Sequence, residues 1–133
     1  MKPIFCFVLF LLFTFYGHSQ HIIIKGKAHP SHIGKEITLS DYLDYITYTK
    51  VVEAIDTIDQ DGYFEFKFYS KTTKPLLINI NNFVGKLYVQ PNFNYGIYFP
   101  EADSLTNNQI GTQSSVNISI YGNDSTELNA LIN

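Results

Sequence analysis

Beyond the first twenty residues, apolar and polar positions alternate along most of the chain, the period-two pattern that sends successive side chains to opposite faces of a β-strand. The clearest run is Tyr63 to Tyr69, where Phe64, Phe66 and Phe68 point one way and Tyr63, Glu65, Lys67 and Tyr69 the other. Ile22/Ile24, Ile37/Leu39, Leu76/Ile78/Ile80, Leu87/Val89, Tyr95/Ile97/Phe99 and Val116/Ile118/Ile120 repeat it, and Val51 to Ile58 forms a less regular run. About eight short strands are therefore predicted.

Turn chemistry separates these runs: Pro30 to Gly34, Asp61-Gly62, Asn82-Phe83-Val84-Gly85, Pro91-Asn92 and the polar stretch Asp103 to Ser115. Asp61-Gly62 carries the strongest hairpin signal, because a tight primed turn needs positive φ, which Asp tolerates and Gly permits. Short strands at nearly regular spacing predict a mainly β fold, an antiparallel β-sandwich or partly open barrel. No internal repeat is visible. The pattern changes near the end, where Asp124 or Ser125 can cap a short helix with Leu128, Leu131 and Ile132 on one face.

The N-terminus has a different character. Lys2 precedes an apolar run from Ile4 to Tyr16 broken only by Thr14, and Gly17-His18-Ser19 follows as a small-x-small cleavage site. Residues 1–19 are read as a secretory signal peptide cut between Ser19 and Gln20, with a β-sandwich domain over 20–122 and a helical continuation starting at 123–133. The run is too short for a membrane anchor at ~1.5 Å per residue against a hydrocarbon core of ~30 Å. The expected location is periplasmic, cell-surface or extracellular, with no membrane span after cleavage.

Cleavage also decides the chemistry of sulfur and charge. The single cysteine, Cys6, lies inside the apolar run rather than at its end, so it is not a lipoprotein cysteine, and its loss leaves no disulfide or thiolate site. The mature piece keeps eight lysines against twelve carboxylates, a net charge of −4, and has no arginine. Nucleic acid is excluded as a partner, since phosphate recognition needs clustered cations and favours arginine.

Candidate catalytic and metal constellations are weak. Asp56, Asp59, Asp61 and Gly62 have the composition of a calcium loop, but aligning Gly62 with the loop glycine puts Thr57 at the first ligand position and Phe68 where a bidentate Glu belongs. His29 and His32 flank a proline turn without an obvious third ligand. No G-x-S-x-G, G-x-G or G-K-[ST] occurs, and Asp41/Asp44 are ordinary loop acids as much as an acid–base pair. No catalytic, cofactor-binding or metal residue is assigned, and no cofactor is expected.

The outward positions carry tyrosine instead. Tyr63, Tyr69, Tyr88, Tyr98 and Tyr121 are the candidate partner-contact residues, with Tyr42, Tyr45 and Tyr48 nearby. Tyrosine offers a large rigid face with a wet hydroxyl, which suits a contact surface, and it also has high strand propensity in its own right.

Three segments together carry a family resemblance: Ile22-Ile23-Ile24-Lys25-Gly26, Asp56-Thr57 followed by Asp61-Gly62-Tyr63-Phe64-Glu65-Phe66, and Leu87-Tyr88-Val89-Gln90-Pro91. They resemble the N-terminal β-sandwich domain of unknown function in exported bacteroidete proteins, often found ahead of a thioredoxin-like thiol:disulfide oxidoreductase domain. The resemblance covers nearly all the mature chain, and Asn92 stands where the family usually has glycine. It implies no catalytic residues in this module, and it implies a further domain after the helical Asp124 to Asn129 segment, so the chain is expected to be the N-terminal part of a longer protein. Asp56-Thr57-Ile58, Asp103-Ser104-Leu105 and Asp124-Ser125-Thr126 also look like that group's O-glycosylation triplets, with Ser104 the best placed.

The combined expectation is a non-catalytic exported accessory module that contacts a protein partner or downstream domain. The alternative is a small-ligand or glycan binder using the tyrosine-rich face.

Overall fold

A computed structural model describes residues 21–44, 46–101 and 114–121, together with Asn129. The strands are β1 (His21–Ala28), β2 (Glu36–Asp44), β3 (Thr49–Thr57), β4 (Tyr63–Tyr69), β5 (Lys74–Ile80), β6 (Phe83–Val89), β7 (Asn94–Phe99), β8 (Ser114–Ser115) and β9 (Ser119–Tyr121). They form a four-stranded sheet in the order β4-β1-β7-β9 and a five-stranded sheet in the order β3-β2-β5-β6-β8. The fold is mainly β and sandwich-like, with both sheets mixed: β1 runs parallel to β7 and β6 parallel to β8.

The alternating apolar positions become the layer between the sheets. Ile22, Ile24, Phe64, Phe66, Tyr95, Ile97 and Phe99 from one sheet meet Ile37, Leu39, Leu76, Ile78, Leu87 and Val89 from the other, all buried. Each such side chain contributes ~1.5–3 kcal/mol relative to exposure, so this layer holds the sheets together. Phe64 and Phe66 stack at a tilt with centroids 5.6 Å apart. Gly26 makes room for this pair, because a Cβ there would run into the Phe64 ring.

Three local expectations are corrected. Asp61-Gly62 does not close a hairpin between paired strands: β3 and β4 belong to different sheets, and the turn carries the chain from one to the other. Only Gly62 has positive φ (86°), while Asp59 shapes the turn by accepting from Asp61 N (2.9 Å) and Tyr63 N (2.7 Å). The turn expected at Asn82–Gly85 instead sits at Asn81-Asn82, with Asn81 at φ 52°, and Phe83 to Val89 is strand throughout. Gly85 is a strand glycine covered by the Ile118 side chain, not a turn glycine.

The last expected strand divides in two. β8 joins the five-stranded sheet, Val116 to Ile118 cross between the layers, and β9 joins the four-stranded sheet. Asn92 takes φ 66°, a left-handed conformation that asparagine tolerates far better than most side chains. The expected cleavage site, Ser104, Ser125 and the apolar face Leu128, Leu131 and Ile132 lie outside the described residues, as does Tyr45; Asn129 is helical.

Candidate interaction surfaces

Strand register fixes which outward side chains become neighbours. On the outer face of the four-stranded sheet, Tyr63, Lys27, Tyr98 and Ser119 form one cross-strand row, and Glu65, Lys25, Gly96 and Tyr121 the next. Lys67, Ile23 and Asn94 form the third, and Tyr69 pairs with His21. Neighbouring strands lie ~4.8 Å apart, so these side chains make one continuous surface. Four of the five candidate tyrosines, Tyr63, Tyr69, Tyr98 and Tyr121, are brought together here.

Specific contacts hold this face in place. The Lys27 ammonium sits 5.1 Å from the Tyr63 ring centroid, and His21 meets Tyr69 edge-on at 6.5 Å. Glu65 bridges Lys67 at 2.5 Å and Lys25 at 3.5 Å. The hydrogen bond from Lys67, aided by the charge of Lys25, holds the Glu65 carboxyl below its usual pKa. Tyr121 lies over Gly96, where a Cβ would collide with its ring, and its hydroxyl donates to the Ile97 carbonyl at 3.1 Å. Beside Tyr69, a shallow depression of about 460 Å³ is bounded by His21, Ile23, Lys67 and Phe68.

Tyr88 is placed elsewhere. It lies on the outer face of the five-stranded sheet, where Tyr42, Pro75, Leu77 and Lys86 join it around a small hollow of about 120 Å³. Alternation places a residue inside or outside a sandwich, but both sheets have an outside.

The acidic and imidazole candidates have structural partners. Asp56 accepts from Thr57 N (2.8 Å) and, across the corner between the sheets, from Glu65 N (2.7 Å). Asp44 accepts from Ile46 N and the Thr47 hydroxyl at the β2–β3 tip, which lowers its pKa. Asp41 and Glu53 share Lys74 at 2.9 and 2.7 Å. Burial opposes the charge on Lys74, but hydrogen bonds to Glu53 and Asp41 outweigh it and raise its pKa.

His29 Nδ1 accepts from Ser31 N (3.3 Å), and its Nε2 lies 3.8 Å from Glu101. His32 is fully buried between Phe83 and Phe99 and donates from Nε2 to the Pro100 carbonyl at 2.9 Å. Its Nδ1 has no hydrogen-bond partner among the described residues, and burial lowers its pKa. Among the described residues no group of three or more His, Cys, Asp or Glu is placed to hold a metal ion, and no helix is long and apolar enough to cross a membrane.

One exposed surface was not singled out from the sequence. Leu43, Ile46, Tyr48, Val51, Val52 and Ile55 are all exposed, Ile46 to 89% and Leu43 to 72%, and they cluster on the β2–β3 hairpin and the β3 edge. The signal was the irregular run itself. Apolar residues at adjacent positions, Val51-Val52 and Ala54-Ile55, cannot all face one side of a strand.

No family model matches the chain, and neither a curated protein nor a solved structure matches it.

Proposed function

We propose that the chain is a non-catalytic exported module that contacts a protein partner, or a following domain, through the outer face of its four-stranded sheet. The observation that carries this reading is the gathering of Tyr63, Tyr69, Tyr98 and Tyr121 on one face. Tyr63, Tyr69 and Tyr121 are each about half exposed, enough to offer aromatic area to a partner at little entropic cost. Lys25, Lys27 and Lys67 against Glu65 make the face basic within an acidic chain, which favours a partner with an acidic contact surface. The family resemblance adds the expectation of a thioredoxin-like neighbour.

The test compares native protein with a Tyr63→Ser/Tyr98→Ser/Tyr121→Ser variant as bait against exported fractions of the source cells. A partner enriched by the native chain should be lost by the variant while the variant stays folded. Equal recovery by both baits sinks the reading.

The depression beside Tyr69 favours a second reading, a small-ligand or glycan site. A glycan array bound by the native chain and silent with Tyr69→Ser would support this second reading over the first.

A further inference from the structure

The connection from β1 to β2, residues 29–35, is held to the sandwich by a single buried side chain. His32 points inward from the 3-10 turn Pro30–His32 with no exposed surface, while the rest of the connection is exposed or partly exposed. Its ring lies edge-on to Phe99 at 5.4 Å and to Phe83 at 6.4 Å, so it stops the end of the apolar layer where β6 begins and β7 finishes. Two hydrogen bonds join the turn to the end of β7, His29 N to Phe99 O (2.9 Å) and His32 Nε2 to Pro100 O (2.9 Å). On its far side Gly34, at φ 77°, is fixed by its own N–H to Ile58 O (2.9 Å), which gives the turn a glycine pivot.

Because Nε2–H is given to Pro100, the neutral ring keeps its lone pair on Nδ1, which has no partner among the described residues. A proton added there makes a second N–H with nothing to accept it and sets a full charge between two phenylalanines. Burial is the chief force against that proton, Lys35 and His29 from the same connection add to it, and the Pro100 carbonyl and Glu101 beyond β7 oppose it. From β6 and β7 the ring is faced by Phe83 and Phe99.

We propose that this turn is an acid-operated latch: protonation of His32 releases residues 29–33 between Ala28 and Gly34 and uncovers Phe83 and Phe99. Outside the layer the imidazolium is hydrated, and the turn loses little else because none of its other side chains was buried. The flanking structure stays in place, with Ala28 bonded to Gly62 O (2.8 Å) and Lys35 O accepting from Ile58 N (3.0 Å). The end of the sandwich therefore presents an apolar patch in acid and hides it at neutral pH.

Amide exchange of the purified chain from about pH 7.5 to about pH 4.5, corrected for the intrinsic rate at each pH, tests this together with an NMR titration of the His32 ring. From about pH 6.5 down to the lower pKa of the closed turn, protection at His29, His32 and Lys35 should fall about tenfold per pH unit, since the open turn binds a proton that the closed turn excludes. The amides of Ile24, Phe66 and Ile78, in the strand ladders, should keep their protection over the same range. His32→Gln should hold protection at His29 and Lys35 nearly level. The ring titration reads the native chain directly, so the outcome does not hang on the variant folding: a His32 ring that titrates at about 6.5 or above overturns the inference. So does level protection across the range in the native chain, or the same fall in His32→Gln. A parallel loss at Ile24, Phe66 and Ile78 overturns it too, because the acid effect would then be unfolding of the whole sandwich.

Discussion

The side-chain amide of Asn129 reproduces a strand neighbour for Tyr88: its Oδ1 accepts from the Tyr88 N–H at 2.7 Å and its Nδ2 donates to the Tyr88 carbonyl at 2.9 Å. Asn129 is buried, and its two bonds satisfy backbone groups at the β6 edge that β8, paired at Phe83 and Val84, does not reach.

Asn129→Ala should therefore destabilise the protein by about 1–3 kcal/mol, because it removes two hydrogen bonds and leaves Tyr88 backbone groups without partners. Asn129→Asp should cost at least as much at neutral pH, since a carboxylate keeps the acceptor but sets negative charge against the Tyr88 carbonyl. Urea unfolding of both variants checks this, and a change below about 0.5 kcal/mol in each would contradict it.

Gly26→Ala should destabilise by about 1–3 kcal/mol, because the new methyl competes with the Phe64 ring in a packed layer. Phe64→Leu is also costly alone, yet the double variant should lose less than the sum of the two. Additive losses in the double-mutant cycle would show that the two sites are not coupled.

Acid should weaken the fold through His32. Its pKa is lowered from 6.5 by burial, so the unfolded chain takes up a proton that the folded chain resists. Stability from this group is complete above about pH 6.5 and falls as pH drops from there towards the lowered folded value. Lys35, His29 and Glu101 are the charged and titratable neighbours that act on it, and its ring donates to a carbonyl, Pro100 O. His32→Gln can keep a donor for Pro100 and should flatten the stability slope between pH 7.5 and 5; an unchanged slope would locate the acid sensitivity elsewhere.

Lys74→Met should cost about 1–2 kcal/mol near pH 7, because Asp41 and Glu53 then face each other without a counter-charge in a half-buried site. In the native protein the raised Lys74 pKa gives stability that is complete below about 10.5 and lost as pH rises through the higher folded value. Denaturant midpoints of both proteins at about pH 7 and above about pH 10.5 test both statements.

Alternation along the chain was enough to locate most strands and the core. Phe64, Phe66 and Phe68 face inward over the whole of β4 as their spacing requires. What alternation does not encode is which sheet a strand joins. Asp59 to Gly62 specify a turn through local hydrogen bonds, and nothing local distinguishes a hairpin from a crossing between layers. For the same reason Tyr88 was grouped with tyrosines that lie on the other sheet. The apolar edge at β3 was visible only as an irregular run, because its meaning depends on β3 being last in its sheet.

The central position of β1 bears on the order in which the molecule assembles. Ile24 pairs with Phe66 on one side and with Tyr95 on the other, so the first strand is complete only when segments far along the chain have arrived. The β2–β3 and β5–β6 hairpins close over short loops and can form early, while β1 waits through slow, non-local encounters. During that wait Ile22 and Ile24 are uncovered on an unpaired strand, which makes the N-terminal segment the part of the chain most prone to intermolecular association before folding ends.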